Sequence, residues 1–195
     1  MMNRQIVVFD LEWTAWEGSL ARRWSGPGEH REVVQIGAVH LDRSLNEIGA
    51  FETLVQPSKN PILSDYFIGL TRIKQDDVDR RGLSFAQAFR DFLAFVGPSP
   101  CAVLSNGSDA DVLLENCRLN GVEVPAALGA FRNTRPWLAA ALHASDDQIV
   151  SSRIPLLIGA GDIAGSHNAL HDARCVAAGI RHVCRQLGQV LPDLK

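Results

Sequence analysis

The order of hydrophobic and polar positions predicts a mixed α/β domain. Three apolar runs, at 5–9, 32–42 and 49–57, have the length and the β-branched composition of strands. Because they follow one another along the chain, we predict that they pair as an antiparallel meander. Residues 15–31 contain four glycines and prolines together with several charges, and they are predicted to form an exposed loop.

Helical patterns follow the meander. Ser84 and Gln87 have the form of a capping box, and Gly97-Pro98 would end that helix. Its apolar face is predicted to consist of Phe85, Phe89, Phe92 and Val96. Residues 101–105 form a predicted buried strand, and helices are predicted over 109–119 and 168–187. Strands and helices that alternate after a meander indicate a mixed sheet covered by helices.

Composition narrows the possible functions. Of the 195 residues, 46% are hydrophobic and 21% charged, as in soluble globular domains. The net charge is −3, whereas proteins that coat long nucleic acids carry a basic surplus, so any nucleic-acid contact should be local. No apolar run approaches the roughly 18 residues of a membrane helix. The first apolar run is too short for a signal peptide, so we expect a cytoplasmic protein.

Domain number and thiol chemistry also follow from the sequence. No linker divides the chain, so we expect one domain over residues 1–195. The cysteines are widely spaced and include no CxxC, which argues against a zinc motif or a disulfide framework. We therefore expect reduced, mostly buried thiols at Cys101, Cys117, Cys175 and Cys184.

Asp10 and Glu12 form the first candidate for chemistry. Residues two apart on a strand project from the same face, so the two carboxylates would repel each other at the end of an apolar strand. A divalent cation would compensate their burial, because Mg²⁺ and Mn²⁺ prefer oxygen ligands. For this pair alone, exposure of both side chains to solvent is the simpler interpretation.

Two later segments add to this set. Asp109 begins a predicted helix, where a carboxylate is also favoured as a cap, and Asp111 competes for the same role. His167 precedes the last predicted helix and Asp172 lies in its first turns. Capping would explain each segment alone. Together, acids at two strand ends and a helix start with one histidine form the groups used in two-metal phosphoryl transfer.

These segments resemble three motifs of the DEDDh 3′–5′ exonucleases. FDLEWT (9–14), SNGSDADVLLENC (105–117) and SHNALHDA (166–173) look like motifs I, II and III. That superfamily includes RNase T and the proofreading exonucleases of DNA polymerases. Further segments between residues 32 and 92 resemble the branch that includes the histone-mRNA 3′ exonuclease.

The resemblance implies an RNase H-like fold with a mixed five-stranded sheet. It implies metal-dependent release of nucleoside 5′-monophosphates from the 3′ ends of single-stranded RNA or DNA. It assigns two divalent cations, Mg²⁺ or Mn²⁺, to four acids, and the role of general base to His167. The four acids are Asp10, Glu12, Asp109 and Asp172. Asp109 is preferred to Asp111 because the residues after it fit the motif.

The resemblance also implies contacts to the strand end. The backbone from Leu11 to Thr14 would meet the terminal sugar, and a segment near residue 70 would pack against the last base. The expected substrate contacts are Leu11, Trp13, Thr14, Leu70, Thr71, Ile73 and Asn106. Arg72 stands where relatives often carry glycine, and it either contacts phosphate or is solvated. Trp13 and Trp16 either stack on bases or pack against the protein.

Five arginines are candidates for contacts to backbone phosphates, with simple solvation as the alternative. They are Arg22, Arg23, Arg31, Arg132 and Arg135.

Two other functions remain as alternatives. One is a non-catalytic regulator that keeps the fold and binds a protein partner. A regulator has no need of the complete acidic set, since mutual repulsion destabilises an empty site. The other is an RNase H-type endonuclease, which lacks the His-x4-Asp element formed here by His167 and Asp172. The sequence indicates neither RNA over DNA, nor a substrate length, nor an oligomeric state.

Overall fold

The computed structural model of the chain describes residues 6–97, 102–161 and 167–191. Its strands form one sheet in the order β3-β2-β1-β4-β5. They are β1 (Ile6–Trp13), β2 (Val33–Leu41), β3 (Glu47–Leu54), β4 (Ala102–Ser105) and β5 (Phe131–Asn133). The first three pair antiparallel, whereas β4 lies parallel to both β1 and β5. The predicted meander and mixed five-stranded sheet are therefore confirmed.

Helices cover both faces of the sheet. They are α1 (Asp65–Thr71), α2 (Gln75–Arg81), α3 (Phe85–Val96), α4 (Asp109–Leu119), α5 (Arg135–Ala141), α6 (Ile154–Leu157) and α7 (Ala169–Arg185). Short 3-10 helices lie at Ala126–Ala130 and Ser151–Arg153. None of the helices within the described ranges is long and apolar enough to cross a membrane.

Alternation along β1 determines which side chains face which layer. Val7, Phe9 and Leu11 pack with α3 and α4 in one apolar cluster, and the ring of Phe9 lies 5.4 Å from that of Phe92. Val8 faces the opposite way, into the cluster formed with α5, α6 and α7. Because side chains alternate along a strand, Asp10 and Glu12 share the face of Val8 and point to the side of α7.

Several predicted boundaries need correction. The first strand does not end before Asp10 but continues to Trp13, because β2 keeps pairing with it as far as Val33. Ser84 caps α3 by accepting from the backbone N–H of Gln87, but the Gln87 side chain donates to Asp91 instead of completing the box.

The loop at 15–31 has no regular element, as predicted, but it is not wholly exposed. Ser19 is buried and Trp24 is half-buried within it.

The expectations for the cysteines are mostly met. Cys117 and Cys175 are buried, Cys184 is partly buried, and these three thiols are free. Cys101, Pro98 and Ser166 lie outside the described residues.

Gly37 allows α7 to approach the sheet closely. A Cβ atom at this position would lie 2.0 Å from the backbone nitrogen of Leu170 and 2.3 Å from the carbonyl carbon of Ala169. The position of that Cβ is fixed by the backbone, and the atoms it would meet are backbone atoms of α7, so no side-chain rotation can relieve the clash. The Gln35 side chain fixes the same junction, since its Oε1 accepts from the backbone N–H of Ala169 at 2.9 Å. The close approach at Gly37 and the hydrogen bond to Gln35 together fix the first turn of α7 against β2.

We expect Gly37→Ala to destabilise the protein by about 1–3 kcal/mol, the usual cost of overpacking. The matched control is Gly69→Ala, where a Cβ meets nothing within 4 Å. At that exposed helical position alanine should be neutral or stabilising by up to about 1 kcal/mol. Urea unfolding of both variants measures the difference. Equal stability of the two variants would contradict the close approach of α7.

Candidate active site

Four acidic side chains meet in a cavity of about 330 Å³. Asp10 and Glu12 come from β1, Asp109 from the first turn of α4, and Asp172 from the first turn of α7. All four are buried, with exposed fractions between 4% and 8%. His167, directly before α7, lines the same cavity. The structure thus brings together the five residues that the sequence predicted to act together, whereas Asp111 is exposed.

Hydrogen bonds fix three of the carboxylates. The backbone N–H of Leu11 donates to Asp109 Oδ1 at 3.2 Å, which ties α4 to the central strand. The hydroxyl of Ser151 donates to Asp10 Oδ1 at 3.3 Å. The backbone N–H of His167 donates to Asp172 Oδ2 at 3.3 Å. The other oxygen of Asp172, Oδ1, is buried and has no hydrogen-bond partner within the described part of the chain.

Burial and mutual repulsion make ionisation of the cluster unfavourable. Burial, then repulsion from the other three acids, raises the pKa of Asp10 well above its usual range. Burial, with repulsion from Asp172 and Asp109, raises the pKa of Glu12 to about 8. Burial likewise raises the pKa of Asp172 to about 7 and that of Asp109 to about 6. At neutral pH the cluster therefore favours bound protons or another positive charge.

His167 is held in a strained conformation beside these acids. Its φ is 61°, in the left-handed region that few non-glycine residues adopt. One ring nitrogen lies within 4.8 Å of carboxylate oxygens of Glu12 and Asp172. Burial lowers the pKa of the imidazole, so the neutral ring predominates at neutral pH and can accept a proton. Strain of this kind is typical of functional positions.

The side chains present fit a hard divalent cation. The donors are carboxylate oxygens, which Mg²⁺ and Mn²⁺ prefer. Burial and repulsion between the acids raise the pKa values of Glu12 and Asp172, and a bound cation would offset both effects. Oδ1 of Asp172 is buried and has no hydrogen-bond partner among the residues that the structure describes, so it is available as a ligand atom. Asp10, Glu12, Asp109 and Asp172 are the residues that would hold such ions.

The predicted substrate contacts divide into two groups. Leu11, Trp13, Leu70 and Asn106 line the cavity. The amide of Asn106 is already used for support, since its Nδ2 donates to Ile149 O at 3.0 Å and to Ser151 Oγ at 3.1 Å. Asn106 therefore holds the segment that carries Ser151.

Thr14, Thr71 and Ile73 do not line this cavity. Thr14 is buried, and its hydroxyl accepts from the backbone N–H of Glu32 at 3.1 Å. The Thr71 hydroxyl donates to Phe67 O within α1, and Ile73 is buried in the small apolar cluster around Phe67. Their side chains are used in packing and capping, and the backbone contact expected at Thr14 stays a prediction.

Aromatic residues that the sequence did not single out complete the wall. Trp24, in the loop at 15–31, lines the cavity, and its Nε1 donates to Thr14 O at 2.8 Å. Its ring centre lies 6.2 Å from that of Trp13. Tyr66 on α1 lines the cavity as well. An aromatic residue within a glycine-rich loop is the only sequence signal that could have pointed to Trp24. Trp16 does not line the cavity.

Among the candidate arginines, Arg135 lines the cavity. One terminal nitrogen donates to Asn106 O at 2.7 Å, while its Nε is buried without a hydrogen-bond partner in the described ranges. Gly107 makes room for it, since a Cβ there would lie 3.0 Å from the guanidinium. Asp109 interacts with this positive charge, which opposes the effect of burial on its pKa.

The other arginines have different surroundings. Arg22 pairs with Glu29 and Arg31 with Glu115, both at the protein surface or near it. Arg72 is exposed and follows α1 with a φ of 64°. That left-handed conformation favours glycine, which gives a physical reason for the glycine expected there.

Comparison with known proteins identifies the family. The model of the family described as Exonuclease matches residues 7–179. The chain belongs to the exonuclease family. This confirms the resemblance on which the sequence-based predictions relied.

Two relatives show how far the similarity extends. The chain is 31% identical over 140 residues to 3′-5′ exoribonuclease 1 of Mus musculus, covering 67% of the chain and 38% of that protein. It is 37% identical over 76 residues to ERI1 exoribonuclease 2 of Homo sapiens, covering 38% of the chain and 10% of that protein. The chain thus matches only a minor part of the length of these relatives.

Solved structures share the fold. The nuclease domain of 3′hExo, described as a DEDDh family member bound to rAMP, superposes with a TM-score of 0.82 at 24% identity. That match covers 94% of this chain and 93% of the other. Cell-death related nuclease 4 gives a TM-score of 0.77 at 16% identity, covering 95% of this chain and 65% of the other. The predicted RNase H-like exonuclease fold is therefore confirmed.

The acidic cluster predicts how stability depends on pH without metal. The pKa of Glu12 is raised in the folded chain from its ordinary value of 4.5 to about 8, so folding favours the protonated form and loses that contribution as pH rises toward about 8. We expect the melting temperature in chelator to fall by several degrees over this range, since about 1 kcal/mol shifts it by roughly 2–4 °C at this size.

Two comparisons isolate this effect. Glu12→Gln should flatten the fall, whereas Asp111→Asn, an exposed acid nearby, should leave it unchanged. Added Mg²⁺ should raise the melting temperature more at the upper end of this pH range than at the lower end. A profile in which Glu12→Gln and the unmodified protein coincide would contradict the raised pKa.

Proposed function

We propose that this chain is a metal-dependent 3′–5′ exonuclease that releases nucleoside 5′-monophosphates from single-stranded RNA or DNA ends. The observation that carries the proposal is one cavity lined by four buried carboxylates and by the imidazole of His167. RNA is favoured over DNA because the curated relatives are named exoribonucleases and a structural neighbour is described as bound to rAMP.

Two divalent cations, Mg²⁺ or Mn²⁺, would be held by Asp10, Glu12, Asp109 and Asp172. Bound there, such ions supply Lewis-acid charge to phosphate oxygens and to the leaving oxygen. The chain contributes the rigid arrangement of these ligands: β1 fixes two, the Leu11 N–H fixes Asp109, and the close packing at Gly37 fixes the start of α7.

His167 would act as the general base. Its neutral ring takes a proton from water, the oxygen attacks phosphorus, and the bond from phosphorus to the 3′ oxygen breaks. The 3′ oxygen leaves with the electron pair of that bond and takes up a proton from solvent, so the shortened strand ends in a new 3′-hydroxyl. The released nucleotide carries the 5′-phosphate, and the protonated His167 returns its proton to solvent. The backbone N–H of His167 donates to Asp172 Oδ2, and this bond would hold the base close to one of the metal ligands.

The cavity wall suggests how a strand end would be held. Trp13, Trp24 and Tyr66 offer aromatic faces, and stacking on such a face contributes about 1–3 kcal/mol per base. This contact does not depend on base identity, which suits an enzyme that removes successive nucleotides. Arg135 lines the cavity, and its guanidinium is suited to bind the phosphate of the bound end.

We expect His167→Ala to lower the rate by at least about 100-fold, the usual size of a general-base contribution. Asp10→Asn and Asp109→Asn should each lower it at least as much, because each removes a charged metal ligand. The matched control is Asp111→Asn, which should keep wild-type rate because Asp111 is exposed and outside the cavity. The assay uses 5′-labelled single-stranded RNA and DNA oligomers with Mg²⁺, Mn²⁺ or chelator. A ladder that shortens from the 3′ end, absent in chelator, supports the proposal.

Two outcomes would contradict this proposal. Wild-type rate from folded, metal-replete Asp10→Asn would eliminate the assigned ligand set. Absence of degradation with either metal, from folded protein that still binds metal, would favour a partner-binding role. The faster of the RNA and DNA ladders identifies the preferred sugar.

Arg135→Gln should lower kcat/KM by about tenfold or more, because a hydrogen bond to a charged group contributes about 1.5–3 kcal/mol. The control is Arg153→Gln, an exposed cation next to the cavity residue Ser152. We expect the loss mainly in KM, with rescue by Arg135→Lys only in part, since lysine cannot reproduce the planar fork. An unchanged KM for Arg135→Gln would exclude a role in phosphate binding.

A further inference from the structure

A second group of metal-ligating atoms lies beside the acidic cluster. His171, Asp172 and Cys175 each offer a ligand atom, and these atoms lie within 4.8 Å of one another. Cys175 Sγ and His171 Nε2 are already 3.3 Å apart. His171 and Cys175 are four residues apart on α7, so both side chains project from the same face of the helix. The mechanism proposed above uses neither of them.

The geometry of this group suits a tetrahedral ion. Zn²⁺ binds sulfur at about 2.3 Å and imidazole nitrogen at about 2.0–2.1 Å, which places the two ligand atoms roughly 3.6 Å apart. The observed sulfur–nitrogen distance is within a few tenths of an ångström of that value. A carboxylate oxygen of Asp172 lies within 4.8 Å of both atoms, and Asp172 Oδ1 is buried without a hydrogen-bond partner among the described residues.

The donors distinguish this group from the acidic cluster. Thiolate and imidazole select Zn²⁺ or Cd²⁺, whereas the all-oxygen set selects Mg²⁺ or Mn²⁺. The thiol loses its proton to solvent when the metal binds. Asp172 belongs to both groups, since it also lies with Glu12 and His167. An ion on the second group would therefore withdraw one carboxylate from the first.

We propose that His171, Asp172 and Cys175 form an inhibitory site for zinc-class ions next to the active site. Its inhibitory effect rests on the exonuclease function proposed above, whereas binding of the ion does not. A nuclease with this site would lose activity when free Zn²⁺ rises, even at saturating Mg²⁺.

Cd²⁺ is the probe for binding, because a cadmium–thiolate bond gives an ultraviolet charge-transfer band whether or not the protein is active. The wild-type chain should show this band and saturate at one Cd²⁺ per chain. Cys175→Ser should abolish it, whereas Cys184→Ser, on the same helix but outside the group, should keep it. His171→Asn should weaken binding at least tenfold, and His182→Asn should not.

Buried Cys175 could be needed for folding, so circular dichroism melting accompanies each variant. The half-buried His171 provides a second test that does not alter the core. A band that persists in Cys175→Ser, or no band in the wild-type chain, would overturn the proposal. So would equal Cd²⁺ affinity in His171→Asn and His182→Asn.

Activity then tests inhibition. At constant Mg²⁺, Zn²⁺ should inhibit the wild-type and Cys184→Ser proteins at the same concentration, and Cys175→Ser should require at least tenfold more. If the charge-transfer band appears but no metal supports hydrolysis, the proposed function fails while the site stands. If Mg²⁺ supports hydrolysis and the band is absent, the site fails and the function stands.

Discussion

Four carboxylates buried in one cavity are the constraint on which this structure depends. Removed from water and facing one another, they are unfavourable unless protons or cations neutralise them, as their raised pKa values show. The apolar layers on both faces of the sheet must therefore supply the stability that the site lacks. Two of the acids stand on the central strand β1, and one each stands on α4 and α7, so the packing of these elements prevents the cluster from relaxing by moving apart.

The sheet topology makes this arrangement possible. The central strand β1 pairs antiparallel with β2 on one side and parallel with β4 on the other. Because β1 and β4 are parallel, their carboxyl ends lie at the same edge of the sheet, and α4, which follows β4, begins there. Alternation along β1 then directs two acids toward α7 and the intervening apolar residues into the opposite core. One short strand thus contributes both to the site and to the packing that supports it.

The sequence predicted the parts of the fold that have long, periodic patterns. The meander, α3, α4 and α7 were predicted, and so was the convergence of the five residues now found in one cavity. The helices α1, α2, α5 and α6 were not, because elements of four to seven residues carry too little periodicity. Trp24 and Arg135 enter the cavity through tertiary packing of a loop and a short helix. Thr71 illustrates the converse, since a local hydrogen bond occupies a side chain that the resemblance assigned to substrate.

The ladder between β1 and β4 has a further consequence. Its register ends at Val8 and Leu104, yet β1 continues to Trp13, and beyond that register the backbone N–H of Leu11 donates to Oδ1 of Asp109. A carboxylate thus takes the place of the missing strand. Hydrogen exchange at the Leu11 amide would then report whether Asp109 accepts this hydrogen bond. Asp109→Ala would remove the acceptor and speed exchange at the centre of the sheet, whereas Asp109→Asn would keep an acceptor oxygen there.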